Sequence, residues 1–219
     1  GFALEFALAR IEPGEEADQA RRSVRGIGVG GIQQFVDRIV GLAAKPGDVY
    51  HVDALTENGK VVFVRSSQYL APPFDVAHGG GIFRSAIMEQ GSSDEKALNK
   101  LNAAVMEAFG MMASASHTEF IKCHEDGKFY FLETSSRVGG AHIAEMVDCA
   151  TGVNLWYEWA RLEYAVGKGQ PYKLPKVRKD YAGIVVSLTR QESPDTSQFN
   201  DPEIAWRMKD NSYHIGLIV

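Results

Sequence analysis

Two glutamates in the stretch SHTEFIKCHEDGKFYFLETSSR are the residues of this chain best placed to do chemistry. Apolar, β-prone residues on either side of Glu125-Asp126-Gly127 predict two antiparallel strands, Ser116–Cys123 and Lys128–Glu133. Pairing them symmetrically about Asp126 sets Glu119 opposite Glu133. Opposed partners leave the same face of a sheet. Like charges so placed destabilise it, and two carboxylates ~5 Å apart repel by about 3 kcal/mol at an effective dielectric of 20. A divalent cation reverses the sign of that interaction. Mg²⁺ takes oxygen ligands and is held by one or two carboxylates plus substrate phosphates, with Mn²⁺ as an alternative. The plain alternative is a pair of solvated glutamates on an exposed sheet face.

The surroundings favour a site. Glu133 follows the apolar strand FYFL and precedes SSRVGG, so a strand delivers a carboxylate to a glycine-containing loop. Arg137, four residues on, can bring a guanidinium beside a metal to hold a phosphate or carboxylate oxygen, or can simply be a surface arginine. In AHGGGIFRS the three glycines after His78 allow close backbone approach to a ligand. Arg84 alternates with Phe83 on the following strand and is a candidate for the same pocket. His142 reads as a helix cap rather than a substrate contact. Asp53 and Arg65 are expected on an exposed hairpin face, and Trp156 and Trp159 in the core.

These residues need elements to position them. Tyr50–Leu55 and Lys60–Arg65 read as strands joined at Glu57-Asn58-Gly59, a strong hairpin signal. A further strand is predicted over Ile82–Met88. Ser92 and Glu95 have capping-box spacing ahead of a helical stripe through Leu98, Leu101, Val105 and Phe109. After SSRVGG a helix is predicted from Ala141 to Ala150 and ended by Gly152. Asn154 then caps a second helix carrying Leu155, Trp159, Leu162 and Val166. Tyr181–Leu188 and His214–Val219 read as strands, and Asp201-Pro202 as the start of a short helix. Ahead of all this, Ala17–Val24 and Ile32–Leu42 have helical patterns. The glycine cluster Arg25–Gly31 between them matches neither the dinucleotide fingerprint nor the P-loop.

Bulk properties exclude some classes. The chain has 219 residues, a net charge of −5 and 45% hydrophobic residues, as a globular protein would. The acidic balance argues against a nucleic-acid partner. No apolar run approaches the ~20 residues that cross a bilayer, and the N-terminus lacks a basic region before its short apolar stretch, so neither membrane span nor signal peptide is expected. Cys123 and Cys149 form no metal or redox spacing, and a reducing cytoplasmic setting is the default.

The acidic pair carries a resemblance. His117-Thr118-Glu119 and Glu133 to Arg137 resemble the H-T-E and E-x-x-x-R motifs of the ATP-grasp enzymes, especially the group that includes the L-amino-acid ligases. The stretch YHVDALTENGKVVF, Tyr50 to Phe63, is similar to the strand pair that follows the adenine-binding hinge in that family. The likeness covers roughly residues 47–170 and, more weakly, 180–219. It implies an α+β ATP-grasp fold, an antiparallel sheet flanked by helices and incomplete on its N-terminal side. Residues 1–49 would be a remnant of the nucleotide-gripping subdomain, 50–170 the C-terminal subdomain, and 171–219 a β-rich extension.

The resemblance also implies the reaction. A carboxylate substrate takes the γ-phosphate of ATP to give an acylphosphate, and an amine displaces the phosphate. Glu119 and Glu133 would hold Mg²⁺, and Arg137 the transferred group. His78 would face substrate, and Ser135, where many relatives have Asn, would reach metal or water. The partners would be small-molecule carboxylates and amines. The acidic hinge expected before Tyr50 and the glycine-rich lysine stretch are both missing, which predicts either a fragment of an enzyme or a degenerate member. A hydrolase using Glu119, Glu133, His117 and His78, and an interaction module forming a homodimer, are the rival readings.

Overall fold

The computed structural model describes residues 46–71, 81–209 and 211–219. The patterns read over residues 1–45, and His78, lie outside the described residues. Eight strands form one antiparallel sheet in the order β5-β4-β1-β2-β3-β6-β8-β7. They are β1 Gly47–Glu57, β2 Lys60–Tyr69, β3 Phe83–Ile87, β4 Ala113–Cys123, β5 Phe129–Ser135, β6 Gly183–Leu188, β7 Trp206–Arg207 and β8 His214–Ile218. The helices are α1 Ser93–Ala108, α2 Ile143–Thr151 and α3 Leu155–Gly167. The strands after residue 180 thus extend the sheet built by the earlier ones.

Local chemistry explains the boundaries. Asn58 and Gly59 both take positive φ, 50° and 75°, as a two-residue hairpin turn with right-handed strand twist requires. Ser92 Oγ accepts from the Glu95 amide at 3.2 Å, while Glu95 reaches back to accept from the Gly91 amide at 2.6 Å. Two orphan donors at the start of α1 are thereby satisfied, the reciprocal logic of a capping box displaced by one residue. Asn154 Oδ1 accepts from the Tyr157 amide to open α3, and Gly152, at φ 72°, ends α2 in the left-handed conformation.

Strand alternation divides the core into two layers. Tyr50 and Val52 of β1, with Phe120 and Phe131, pack on Leu98, Val105 and Met106 of α1. Leu55 and Ala115, of opposite parity, pack on Ile143, Met146 and Val147 of α2 and Leu155 of α3. Each fully buried aliphatic side chain contributes about 1.5–3 kcal/mol. Helix α1 therefore covers one face of the sheet, and α2 with α3 covers part of the other.

Expectations about the helices fail at three points. Asp201-Pro202 opens no helix: a single turn, closed by the Ile204 amide donating to Asp201 O at 3.1 Å, leads into β7. Trp156 is 51% exposed rather than core, because the buried stripe of α3 runs through Leu155, Glu158, Leu162 and Ala165; Trp159 is partly buried. Phe109 and Val166, at the ends of the predicted stripes, are exposed. No helix among the described residues is long and apolar enough to cross a membrane.

Candidate functional site

The site is built where β1, β4 and β5 lie side by side. Two rows of partners cross these strands on the face that carries Leu55. One row is His51–Glu119–Glu133 and the next is Asp53–His117–Ser135. Glu119 and Glu133 are therefore directly opposed on one face, as symmetric pairing about Asp126 predicts. The route to that register includes an irregularity. Next to the turn the pairs are Lys122 with Phe129 and Ile121 with Tyr130, and the register shifts between Glu119 and Phe120. Leu132 is the extra residue, a bulge of the kind that re-aims side chains beside functional sites.

A buried polar series lies behind the glutamates. Asp53, expected on an exposed face, is 0% exposed. Its Oδ2 accepts from His51 Nδ1 at 2.7 Å and its Oδ1 from His117 Nδ1 at 2.9 Å. His51 Nε2 meets the Ser85 hydroxyl of β3 at 2.7 Å. His117 Nε2 lies 3.6 Å from Glu119 Oε1 and 3.4 Å from the Tyr69 hydroxyl, which itself donates to Glu119 Oε1 at 2.8 Å. Arg65, the other residue expected on an exposed face, is half-buried and donates to the carbonyls of Val64 and Arg178.

The electrostatics follow from this order of charges. Burial opposes ionisation of Asp53, but His117 and His51 outweigh it and hold its carboxyl well below the usual range. Burial likewise opposes a charge on His117; Asp53 and Glu119 outweigh it and push the imidazole up to about 10. His51, wholly buried, is held below its ordinary value by desolvation despite Asp53. Burial raises Glu119, but His117 and the Tyr69 hydroxyl more than offset it, so the carboxylate is ionised. Burial, then Glu119, pushes the Tyr69 phenol up, so it remains a donor.

Two other chemistries are excluded by geometry. Ser85, His51 and Asp53 have the residue order of a nucleophilic triad, yet all three are wholly buried and no substrate reaches Ser85. His51, Asp53 and His117 also have ligand atoms within 4.8 Å of one another. Each Nδ1 is nevertheless aimed at its own Asp53 oxygen, and Gly139 closes directly over the pair. This is a hydrogen-bonded series rather than a metal cage. Both nitrogens of His117 are engaged by protein groups, so it is not a ligand in a hydrolase centre with Glu119 and Glu133.

The remaining candidates are placed as follows. Glu119 is 19% exposed at its side chain and Glu133 is exposed, so the pair rises from the buried series to the surface. Ser135 is half-buried on the same face, beside His117. Arg137 is exposed just beyond the end of β5 and donates to Val138 O at 2.9 Å. Arg84 is not brought to the glutamates. Ser85 and Phe83 face His51 and Tyr69, so alternation turns Arg84 to the opposite face, where it donates to Leu70 O at 3.5 Å. His142 makes no side-chain cap; it takes φ 60° and its ring lies 4.8 Å from that of Trp206.

His51, Asp53, Tyr69 and Ser85 join the candidate site through hydrogen bonds that the sequence alone does not reveal. Their one signal was polar residues at alternate positions, His51 and Asp53, in an otherwise apolar strand. That pattern reads as a solvated face until β4 is seen beside it.

No protein-family model matches the chain. Over 108 residues it is 28% identical to an L-arginine-specific L-amino acid ligase of Bacillus subtilis, a match covering 49% of this chain and 25% of that protein. An L-amino acid ligase from Bacillus licheniformis has a similar structure, with a TM-score of 0.57 and 18% identity over 78% of this chain and 46% of that one. Phosphoribosylglycinamide synthetase from Anaerococcus prevotii matches with a TM-score of 0.52 and 15% identity over 99% of this chain and 64% of its own. N5-carboxyaminoimidazole synthase from Aspergillus clavatus, solved with ADP and its ribonucleotide, matches with a TM-score of 0.54 and 11% identity over 78% and 46%. The chain thus spans about half the length of the ligase structure it matches. These structural matches and the architecture show that the chain has the ATP-grasp fold.

Proposed function

We propose that this chain carries the metal-binding half of an ATP- and Mg²⁺-dependent ligase that joins a carboxylate to an amine through an acylphosphate. The observation that carries the reading is the direct opposition of Glu119 and Glu133 on one sheet face. The donor set fits Mg²⁺: two carboxylates, one ionised and fixed from behind, the other exposed at the rim. When bound, Mg·ATP supplies an activated phosphoryl group and a cation that neutralises the charge shifting between phosphates.

The residues of the chain divide the remaining work. Tyr69 and His117 hold one oxygen of Glu119. Arg137, on the loop that follows Glu133, would supply a guanidinium for the transferred phosphoryl group or the developing oxyanion. Ser135, beside His117, would offer a hydroxyl to metal-bound water. The relatives named for L-amino acids support an amino acid as the carboxylate substrate.

Calorimetric titration with Mg·ADP tests the reading. The chain should bind saturably and its Glu133→Gln variant at least tenfold more weakly. Equal binding by both, or none by either, removes Glu119 and Glu133 from an active site in this chain.

A further inference from the structure

Glu119 does not stand alone on its strand. Tyr69 and His117 both meet its Oε1, so among the described residues Oε2 is the oxygen left to offer a cation. What fixes His117 is Asp53, one strand over on β1. Its two oxygens are shared between two imidazoles, and the second, His51, is anchored at its other nitrogen by Ser85 of β3 and lies 4.6 Å from the ring of Tyr69. A single carboxylate therefore ties three strands to one metal-facing glutamate.

We propose that Asp53 is a positioning residue for Glu119, setting the direction of the metal carboxylate through His117 and Tyr69. This deepens the metal reading given above and rests on it. Burial of an ion pair is weak support for stability in itself, since apolar residues of similar volume often serve as well or better. A leucine in place of Asp53 would fill the space at lower desolvation cost. What the carboxylate adds is direction. It orients both Nδ1 atoms, turns His117 Nε2 towards Glu119, and keeps the ring from rotating. Gly139 presses on the same pair: a methyl there would lie 2.8 Å from His117 Nδ1 and 2.9 Å from Asp53 Oδ1. Groups that orient a metal ligand from behind typically affect metal affinity by about 10–100-fold.

The test is Mn²⁺ affinity, followed by the electron paramagnetic resonance of free Mn²⁺, alongside thermal melting of each protein. Glu119→Gln and Glu133→Gln serve as references for the metal site. Asp53→Asn keeps the shape of the side chain and removes the charge. Tyr69→Phe removes one hydroxyl and keeps the ring beside His51 and Phe83. Both are expected to weaken Mn²⁺ binding about 10–100-fold in folded protein.

A lower melting temperature with unchanged Mn²⁺ affinity would show a purely structural role and overturn the proposal. If Asp53→Asn fails to fold, Tyr69→Phe decides by the same criterion. Where the two glutamate variants lose binding and the Asp53 and Tyr69 variants do not, only the positioning role is lost. Where the glutamate variants bind normally, or the unsubstituted chain shows no saturable Mn²⁺ binding, the metal reading falls and this proposal with it.

Discussion

Gly139 lies so close to His117 that a methyl on its Cα would stand 2.8 Å from Nδ1, inside any ordinary contact. The loop after β5 can close over the buried Asp53–His117 pair only because this residue has no side chain. Gly139→Ala should therefore destabilise the fold by about 1–3 kcal/mol, the usual cost of overpacking. Gly140, with open space around its Cα, is the control; Gly140→Ala should stay within about 0.5 kcal/mol. Urea unfolding of both variants checks this, and equal midpoints would contradict the close approach.

The β1–β2 turn makes a different demand. A Cβ on Gly59 would meet nothing closer than the sulfur of Met112 at 3.8 Å, so space is not the constraint. The constraint is φ, 75° at Gly59 and 50° at Asn58. Gly59→Ala should cost about 1–2 kcal/mol through left-handed strain, whereas Asn58→Gly should be close to neutral. Chemical denaturation separates the two; a tolerated alanine at Gly59 would mean the turn takes another conformation.

The buried histidines give the metal-free protein a pH signature. His117, raised to about 10 from an ordinary 6.5, contributes stability that is complete below 6.5 and lost as pH climbs through 10. His51, lowered, has the opposite effect: the unfolded chain gains its proton below 6.5 first, so acid costs stability. Stability of the chelated protein should therefore decline from pH 7 to pH 10, and His117→Gln should flatten that decline. Urea midpoints in EDTA across this range test the sign; a midpoint that rises towards pH 10 would contradict the charge placed on His117.

Much of the site was legible because it depends on local spacing. The turn at Glu125-Asp126-Gly127, the alternation along each strand and the capping residues Ser92 and Asn154 are short-range signals, and each appears where the residues place it. The pairing of Glu119 with Glu133 was reached by counting outward from Asp126, although the bulge at Leu132 produces it. Without that extra residue the pairs beside the turn would continue unchanged, and Glu119 would face Leu132.

The rest needed tertiary contacts. His51 and Asp53 alternate like solvated residues, and only the arrival of His117, 64 residues after Asp53, turns them into a buried series. On β3 it is Ser85 that meets His51, and alternation alone does not tell which of Arg84 and Ser85 turns to that face. Helix α3 shows the same limit. Glu158 occupies a buried position where an apolar residue is expected, and it is accommodated because Arg161 donates to both its oxygens and the Tyr172 hydroxyl to one. Trp156 lies off that buried face, in solvent.

Anomalous diffraction from crystals soaked with Mn²⁺ and ADP would locate the cation. An anomalous peak is expected between the Glu119 and Glu133 carboxylates, with an oxygen of each about 2 Å from the ion and the Tyr69 hydroxyl still on Glu119. Mn²⁺ bound elsewhere, with either carboxylate turned away from it, would contradict the assignment of this acidic pair as the metal site.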